Sequence, residues 1–414
     1  MKYFLITYGC QMNKSDSERI ASVLESLNYR SAPQINGADL IVVNMCSIRQ
    51  SAVDRVYGLI NKIRKNKKIK TILTGCILKK DKKKLANSFD LILDIKDLPK
   101  WPQLLSINKT RPRCKEYLEI KPKYSNKFSA FVPISNGCNN FCSYCVVPYA
   151  RGPLICRPHQ EIIKEAKKFT RSGFKEIWLL GQNVNDYKSK NIRFPDLLKT
   201  INDIPGYFWI RFTSPHPKDF SDKLIKTMAE CKKITPYLNL PVQSGDNQIL
   251  KKMNRPYTVA QYKRLVKKIR KAIPNISLST DVIVGFPGET KKQFQNTLSL
   301  FKEIKFDMAY IAKYSPRSQT AALKLKNHIP HSEKQKRYKA ITEVVRQAAL
   351  ENNKKYVGKT VDALITESKD KFLIGKTDAY KTIKIIGPKK LVGNFIKAKI
   401  EDVSPWGLKG ILIS

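Results

Sequence analysis

Three times in the first hundred residues a short apolar run stops at a cysteine, and this repetition constrains the fold more than any other feature. Tyr3-Phe-Leu-Ile-Thr-Tyr8 ends at Gly9-Cys10, Leu40-Ile-Val-Val-Asn44 at Met45-Cys46, and Thr71-Ile-Leu-Thr74 at Gly75-Cys76. Between them lie helical patterns such as Ser15 to Leu27, with Ile20, Val23, Leu24 and Leu27 on one face. Alternating β and α segments of this kind fold as a parallel sheet whose strands point their C-terminal ends to one side. Three cysteines some thirty residues apart then converge. They either hold an iron–sulfur site or are three small buried hydrophobes, since cysteine is among the most buried residue types.

A second set decides how the first is read. Cys138, Cys142 and Cys145 form a C-x3-C-x2-C run within Asn136-Gly-Cys-Asn-Asn-Phe-Cys-Ser-Tyr-Cys-Val-Val-Pro-Tyr149. Thiolates at this spacing ligate three irons of one 4Fe-4S cluster and leave the fourth iron open, because no fourth cysteine follows at short range. A closed zinc site wants four N or S ligands in two short pairs, and the next cysteine, Cys156, lies eleven residues on, beyond Arg151-Gly-Pro153. An open iron can bind a substrate. With this triplet downstream, the reading of Cys10, Cys46 and Cys76 as a second iron–sulfur site is favoured.

From residue 129 the chain shows six strand-like runs: Ser129 to Ser135, Glu176 to Leu180, Trp209 to Thr213, Tyr237 to Val242, Ser277 to Val284 and Met308 to Tyr314. Helical stretches between them, among them Glu161 to Thr170, Ser221 to Cys231 and Val259 to Ala272, are long enough for right-handed crossovers. Six βα units make an open parallel barrel, and the triplet follows its first strand on the face where barrels place their chemistry. A long amphipathic helix, Ser332 to Lys355, leads out to five short strand candidates: Val361 to Thr366, Phe372 to Lys376, Thr382 to Ile386, Phe395 to Val403 and Leu408 to Ile413. These predict a small closed β-barrel of a kind that binds oligonucleotides or caps a larger domain. The organisation read from the sequence is therefore α/β: a sheet domain over 1–97, a Pro- and Lys-bearing linker over 98–127, a partial barrel over 128–354 and a small β-barrel over 355–414.

Lys and Arg number 78 against 34 Asp and Glu, a formal net charge of +44. That excess favours a polyanionic partner, with RNA or DNA first, through phosphate neutralisation and counterion release. Local runs such as Lys79-Lys-Asp-Lys-Lys-Lys84 also read as solvated helix faces. No apolar run approaches the ~18 residues of a membrane span, and Tyr3 to Tyr8 is too short for a signal segment, so a cytoplasmic location is expected. Nine cysteines and four histidines leave sulfur to do most metal binding and fit a reducing compartment.

Assembled, these residues resemble the methylthiotransferase family of the radical S-adenosylmethionine superfamily over essentially the whole chain. The triplet with Tyr144 before its last cysteine carries the superfamily. The family is carried by Thr7-Tyr-Gly-Cys-Gln-Met-Asn13 with Asp16-Ser-Glu18, and by Asn44-Met-Cys-Ser-Ile-Arg49. Leu180-Gly-Gln-Asn-Val-Asn185, Pro217-Lys-Asp-Phe-Ser221 and Leu240-Pro-Val-Gln-Ser-Gly245 add to it.

The resemblance implies an N-terminal methylthiotransferase domain, a radical barrel and a C-terminal TRAM domain associated with RNA binding. It implies two 4Fe-4S clusters, an auxiliary one on Cys10, Cys46 and Cys76 and a radical-generating one on Cys138, Cys142 and Cys145. S-adenosylmethionine would serve both as methyl donor and as radical source. The implied reaction converts N(6)-isopentenyladenosine, beside the anticodon in the tRNA anticodon stem-loop, to its 2-methylthio derivative. An external electron donor and a sulfur source are required. Residues at the expected cofactor face are Gln182 and Asn183, Gln243 and Ser244, and Asp281 with Gly285 in Gly285-Phe-Pro-Gly-Glu289; Arg255 is a candidate for the cofactor carboxylate. His216 reads as structural, and Cys114, Cys156 and Cys231 as ordinary thiols.

Met45, Pro215 and Arg317-Ser-Gln-Thr320 depart from the family wording and bear on substrate fit. Two rivals remain at this point: the sister activity on N(6)-threonylcarbamoyladenosine in tRNA, toward which Asn139-Asn-Phe-Cys142 and Ala150-Arg-Gly-Pro153 lean, and a non-catalytic iron–sulfur RNA-binding redox sensor.

Overall fold

The computed structural model describes residues 1–48, 50–63, 69–105, 114 and 116–413. Its first unit is a five-stranded, all-parallel sheet in the order Arg30–Ser31, Lys2–Tyr8, Leu40–Cys46, Lys70–Cys76, Leu91–Ile92. The central strand Leu40–Cys46 is buried along its whole length, as expected of a parallel strand covered on both faces. One face packs Ile41, Val43 and Leu73 against Val53, Val56 and Ile60 of the helix Gln50–Ile63. The other packs Val42 and Ile72 against Ile20, Val23 and Leu24 of the helix Gln11–Ser26.

Two boundaries differ from the sequence reading, and both matter for the site. Strands expected to stop at Asn44 and Thr74 run on through Cys46 and Cys76, and the helix expected from Ser15 starts at Gln11 with Cys10 as its N-cap. The segment 98–127, read as a linker, contributes part of the core where it is described. Leu98, Trp101, Tyr117 and Leu118 are buried with Tyr3 and Ile20, because four large apolar side chains there outweigh the surrounding Lys and Pro. Residues 106–113 and 115 of that segment lie outside the described residues.

The central unit is built from two parallel three-stranded halves, Ser129–Pro133, Glu176–Leu180, Trp209–Phe212 and Tyr237–Asn239, Ser277–Val284, Met308–Lys313. A single bridge between Ile210 and Ile234 joins them, so the six strands follow chain order in one curved, open wall. Helices His159–Arg171, Phe194–Asn202, Asp222–Glu230, Val259–Ala272 and Lys291–Ile304 cross over outside.

Such a wall has two edge strands that must be covered. Helix Gln11–Ser26 lies along the first, where Ser15 Oγ donates to the Phe131 carbonyl at 3.4 Å. The 24-residue helix His331–Lys354 lies along the last, with Lys313 Nζ donating to Gln335 Oε1 at 2.8 Å.

The C-terminal strands Thr360–Lys369, Phe372–Thr377, Thr382–Ile386, Phe395–Ser404 and Gly407–Ile413 close a small barrel around Ala363, Ile365, Leu373, Ile383, Ala398 and Ile400. A buried arginine fastens it to the central unit. Arg211 Nε donates to Glu176 Oε1 at 2.6 Å, while its Nη1 and Nη2 donate to the carbonyls of Asp378 (2.7 Å) and Thr377 (2.8 Å). The guanidinium lies among Trp178, Trp209 and Tyr380, 5.0–5.7 Å from their ring centres. Arg211→Met would leave Glu176 charged and buried, at a cost of about 3 kcal/mol. We expect a lower urea midpoint and proteolytic release of the C-terminal barrel; unchanged unfolding and proteolysis would contradict this role.

Candidate functional site

The sheet of the first unit brings Cys10, Cys46 and Cys76 to one end of three adjacent strands. Cys46 and Cys76 are partners in register, and Cys10 lies two residues beyond Tyr8, the last residue of the neighbouring strand. Gly75 makes this approach possible: at φ +109° a Cβ there would stand 2.3 Å from the Met45 carbonyl oxygen.

The Asn13 carboxamide ties Cys10 to Cys76. Its Oδ1 accepts from the Cys10 backbone N–H at 3.2 Å and from the Cys10 thiol at 3.4 Å. Its Nδ2 donates to Asn44 Oδ1 at 3.1 Å and reaches Cys76 Sγ at 3.8 Å. Asn44 returns a bond to the Asn13 carbonyl at 2.8 Å. Burial pushes the Cys10 thiol up; the Cys46–Cys76 hydrogen bond pushes Cys76 well up, and the same bond lowers Cys46. Cys10 and Cys76 are thus favoured as neutral thiols until a cation compensates their charge, so metal ligation here releases protons.

The second set sits on the loop after the first barrel strand. Cys138 N–H donates to the Gly152 carbonyl and Cys145 N–H to the Cys142 carbonyl, at 3.2 and 2.9 Å. Gly137 is required for this fold of the loop, since a Cβ there would lie 1.9 Å from the Pro153 carbonyl oxygen. Ser143 pins the loop to the barrel, its hydroxyl donating to the Lys252 carbonyl at 2.7 Å. Burial raises Cys138, and burial with Cys142 as neighbour pushes Cys145 up to about 12.

Among the described residues no three His, Cys, Asp or Glu side chains converge closely enough for a single metal ion. A cluster places each thiolate on a different iron, so its ligands stand wider apart than those of one ion. Two all-cysteine triads fit the soft donor set of iron–sulfur clusters.

The triplet and the segment that follows Cys46 border one cleft. A cavity of about 690 Å³ is lined by Tyr144 and Cys145 of the loop, Gln243, Asp281 and Tyr310 of the barrel, and Arg317. Ile48, Gln50 and Ser51, just beyond Cys46, close its other side. The two sequence segments therefore meet where a substrate could touch both.

The predicted cofactor residues divide. Gln182 Oε1 and Asn183 Oδ1 are buried without a partner at the end of the second strand, and Asn183 is fixed by donating to Asp219 Oδ2 at 2.8 Å. Gln243, held at φ 69° and bridged to Val282, faces the cavity; Asp281 lines it too and accepts from Asn239 at 2.9 Å. Ser244 turns away: its hydroxyl accepts from Asp246 N–H and lies 3.5 Å from the Thr297 hydroxyl on the outer helix. Gly285 donates its N–H to Glu289 at 2.7 Å and is pressed against Lys334, which places it in helix packing. Arg255 is buried with Nη1 3.6 Å from Cys142 Sγ, Nη2 on the Pro241 carbonyl and Nε on Tyr257, so it serves the triad directly.

Three comparisons bear on this arrangement. Family models match residues 2–94 (uncharacterized protein family UPF0004), 132–301 (radical SAM superfamily) and 354–413 (TRAM domain). Proteins named tRNA-2-methylthio-N(6)-dimethylallyladenosine synthase are similar over the full length. One from Clostridium botulinum is 39% identical, covering 99% of this chain and 96% of its own; one from Dictyoglomus thermophilum is 40% identical, covering 100% and 98%. The chain belongs to this synthase family. It is thus a radical SAM transferase, and S-adenosylmethionine and iron–sulfur chemistry belong to its superfamily. Among solved structures, the methyltransferase TsrM from Kitasatospora setae aligns at TM-score 0.58 with 13% identity, over 78% of this chain and 75% of its own. The cobalamin-dependent radical enzyme OxsB aligns at 0.54 with 13% identity, over 83% and 56%. At that identity the likeness is one of fold.

Sequence reasoning missed Asn13, Asp16 and Arg151 as site residues, although all three lie within or beside the cysteine motifs. It also read His216 only as structural. Its Nδ1 accepts from Lys218 N–H at 3.2 Å, which leaves the proton on Nε2, and Nε2 is buried without a partner. Burial, then Arg255 and Lys218, lower its pKa to about 2, so it is a neutral donor at working pH.

Because an unfolded histidine titrates near 6.5, the unfolded chain binds more protons below that pH and acid destabilises the fold. His216→Gln should remove about 1.4 kcal/mol of the stability loss between pH 7.5 and 5.5. Urea midpoints measure this, and equal losses in both proteins would contradict it.

Proposed function

We propose that this chain methylthiolates carbon 2 of N(6)-isopentenyladenosine, beside the anticodon of tRNA, using two 4Fe-4S clusters. Cys138, Cys142 and Cys145 would hold one and Cys10, Cys46 and Cys76 the other. The observation that carries the reading is the cleft bordered by Cys145 of the barrel loop and by Ile48, Gln50 and Ser51, the segment just beyond Cys46 of the sheet domain. The relatives' shared name supports the dimethylallyl substrate, which is the same group. It counts against the threonylcarbamoyl reading and the non-catalytic sensor.

With its cluster and S-adenosylmethionine bound, the barrel would supply hydrogen abstraction, the tool suited to an aromatic C–H that no ordinary base removes. The chain's own residues prepare the site. Arg255 donates to Cys142 Sγ and offsets thiolate charge, while Asn13 and Asn44 orient the sheet-end cysteines. Gln182, Asn183 and His216 offer unpartnered polar atoms at the barrel mouth for the cofactor or the nucleoside. An outside electron donor and sulfur source complete the inventory, and the C-terminal barrel with the chain's positive charge would hold the anticodon stem-loop. In this reading residues 1–97, 128–354 and 355–414 act as auxiliary-cluster, radical and RNA-holding domains.

The test is anaerobic: reconstituted protein, S-adenosylmethionine, reductant and isopentenylated tRNA, with nucleosides and 5′-deoxyadenosine read by mass spectrometry. Expected are 5′-deoxyadenosine and a nucleoside carrying SCH3 in place of H; tRNA lacking the isopentenyl group should remain unmodified. Alanine at Cys138, Cys142 and Cys145 should remove both products. Alanine at Cys10, Cys46 and Cys76 should remove only the methylthio nucleoside; an active variant of either kind would sink the assignment.

A further inference from the structure

Arg151 lies six residues beyond Cys145, at the end of the short helix Val147–Arg151, yet its side chain enters the other triad. Its Nε donates to Cys76 Sγ at 2.9 Å. Nη2 pairs with Asp16 Oδ2 at 2.6 Å, and Nη1 donates to Asn136 Oδ1 at 2.9 Å and to the Tyr117 hydroxyl at 3.3 Å. The Arg151 side chain is 2% exposed and that of Asp16 is fully buried. One guanidinium thus spans the sheet domain, the segment before the barrel and the loop of the triplet.

Stability alone does not account for it. Removing two charges from water costs more than a buried pair returns unless the geometry is excellent, and apolar replacements of such pairs are often neutral or stabilising. The feature that an apolar core would lack is the short N–H···S bond. A cationic donor on a ligand sulfur withdraws charge from it, and hydrogen bonds to the sulfurs together with local net charge set cluster potentials. The triplet has a counterpart in Arg255, whose Nη1 stands 3.6 Å from Cys142 Sγ. Each triad therefore receives one buried guanidinium on one sulfur, and that of Cys76 is the closer by 0.7 Å.

We propose that Arg151 is a positioning residue that raises the reduction potential of the cluster on Cys10, Cys46 and Cys76 by hydrogen-bonding Cys76 Sγ, with Asp16 moderating its charge. This rests on the two-cluster reading above. Added positive charge stabilises the more reduced, more negative cluster, so losing the arginine lowers the potential and losing the aspartate raises it.

The experiment uses the full chain carrying Cys138→Ala, Cys142→Ala and Cys145→Ala, reconstituted anaerobically so that one cluster reports. Iron and sulfide content is measured first, and the midpoint potential is then taken by EPR-monitored redox titration. Absence of a cluster in this background would overturn the two-cluster reading itself. With the cluster present, Arg151→Met should shift the midpoint to more negative potential and Arg151→Lys should shift it less. Asp16→Asn, which leaves Arg151 in place, should shift it upward and decides the matter alone if Arg151→Met holds no iron. An unchanged midpoint in an iron-loaded Arg151→Met or Asp16→Asn protein would overturn the proposal while leaving the two-cluster reading intact.

Discussion

The buried ion pair of Arg151 and Asp16 is the contact on which the arrangement of the site depends. It joins a residue just past the barrel's cysteine loop to the first helix of the sheet domain across 135 positions of sequence, and on the way it touches Cys76. Apolar packing backs it, with Leu78 and Cys76 of the sheet domain against Val146 and Ala150 of the barrel loop. Together with helix Gln11–Ser26 packed on the barrel's edge strand, this join holds the two cysteine triads at a fixed spacing. Cys145 and the segment just beyond Cys46 line one cavity.

The same economy governs the edges of the barrel. An open six-stranded wall exposes an unpaired strand at either side, and a closed barrel would have left no lateral opening for a nucleoside. Here the edges are covered by helices that have other work: Gln11–Ser26 also carries Asn13 and Asp16 to the sheet-end cysteines, and His331–Lys354 leads to the C-terminal barrel. This bears on why the first half of Gln11–Ser26 is polar yet buried at Asn13 and from Ser15 to Arg19. Asn13 and Asp16 face the site, while Ser15 and Glu18 bond to Phe131 and Ser125 beside the barrel edge.

Much of this was legible in the sequence because it is local. Strand runs, their terminal cysteines, the triplet spacing and the five C-terminal strands all follow from periodicities and spacings within a few residues, and their positions agree with the fold to within a few residues. The long-range polar contacts were not legible. Arg151 is one of 78 basic residues, and nothing near it names Asp16 or Cys76 as its partners. Arg255 was read as a partner for the cofactor carboxylate, and Ser244 and Gly285 were placed on the cofactor face by strand-end position alone. Their actual partners, Cys142, Thr297 and Lys334, come from neighbouring loops and helices. The 98–127 segment misled for a related reason, since its composition is that of a linker and its buried side chains are few but large.

The proposal that two clusters lie close together is tested most directly by EPR of the reconstituted, fully reduced protein. If the triads stand as described, the two paramagnetic clusters are close enough to couple, and the spectrum departs from the sum of the spectra given by the two variants that each retain one triad. A spectrum equal to that sum, in protein shown to carry both clusters, would contradict the account.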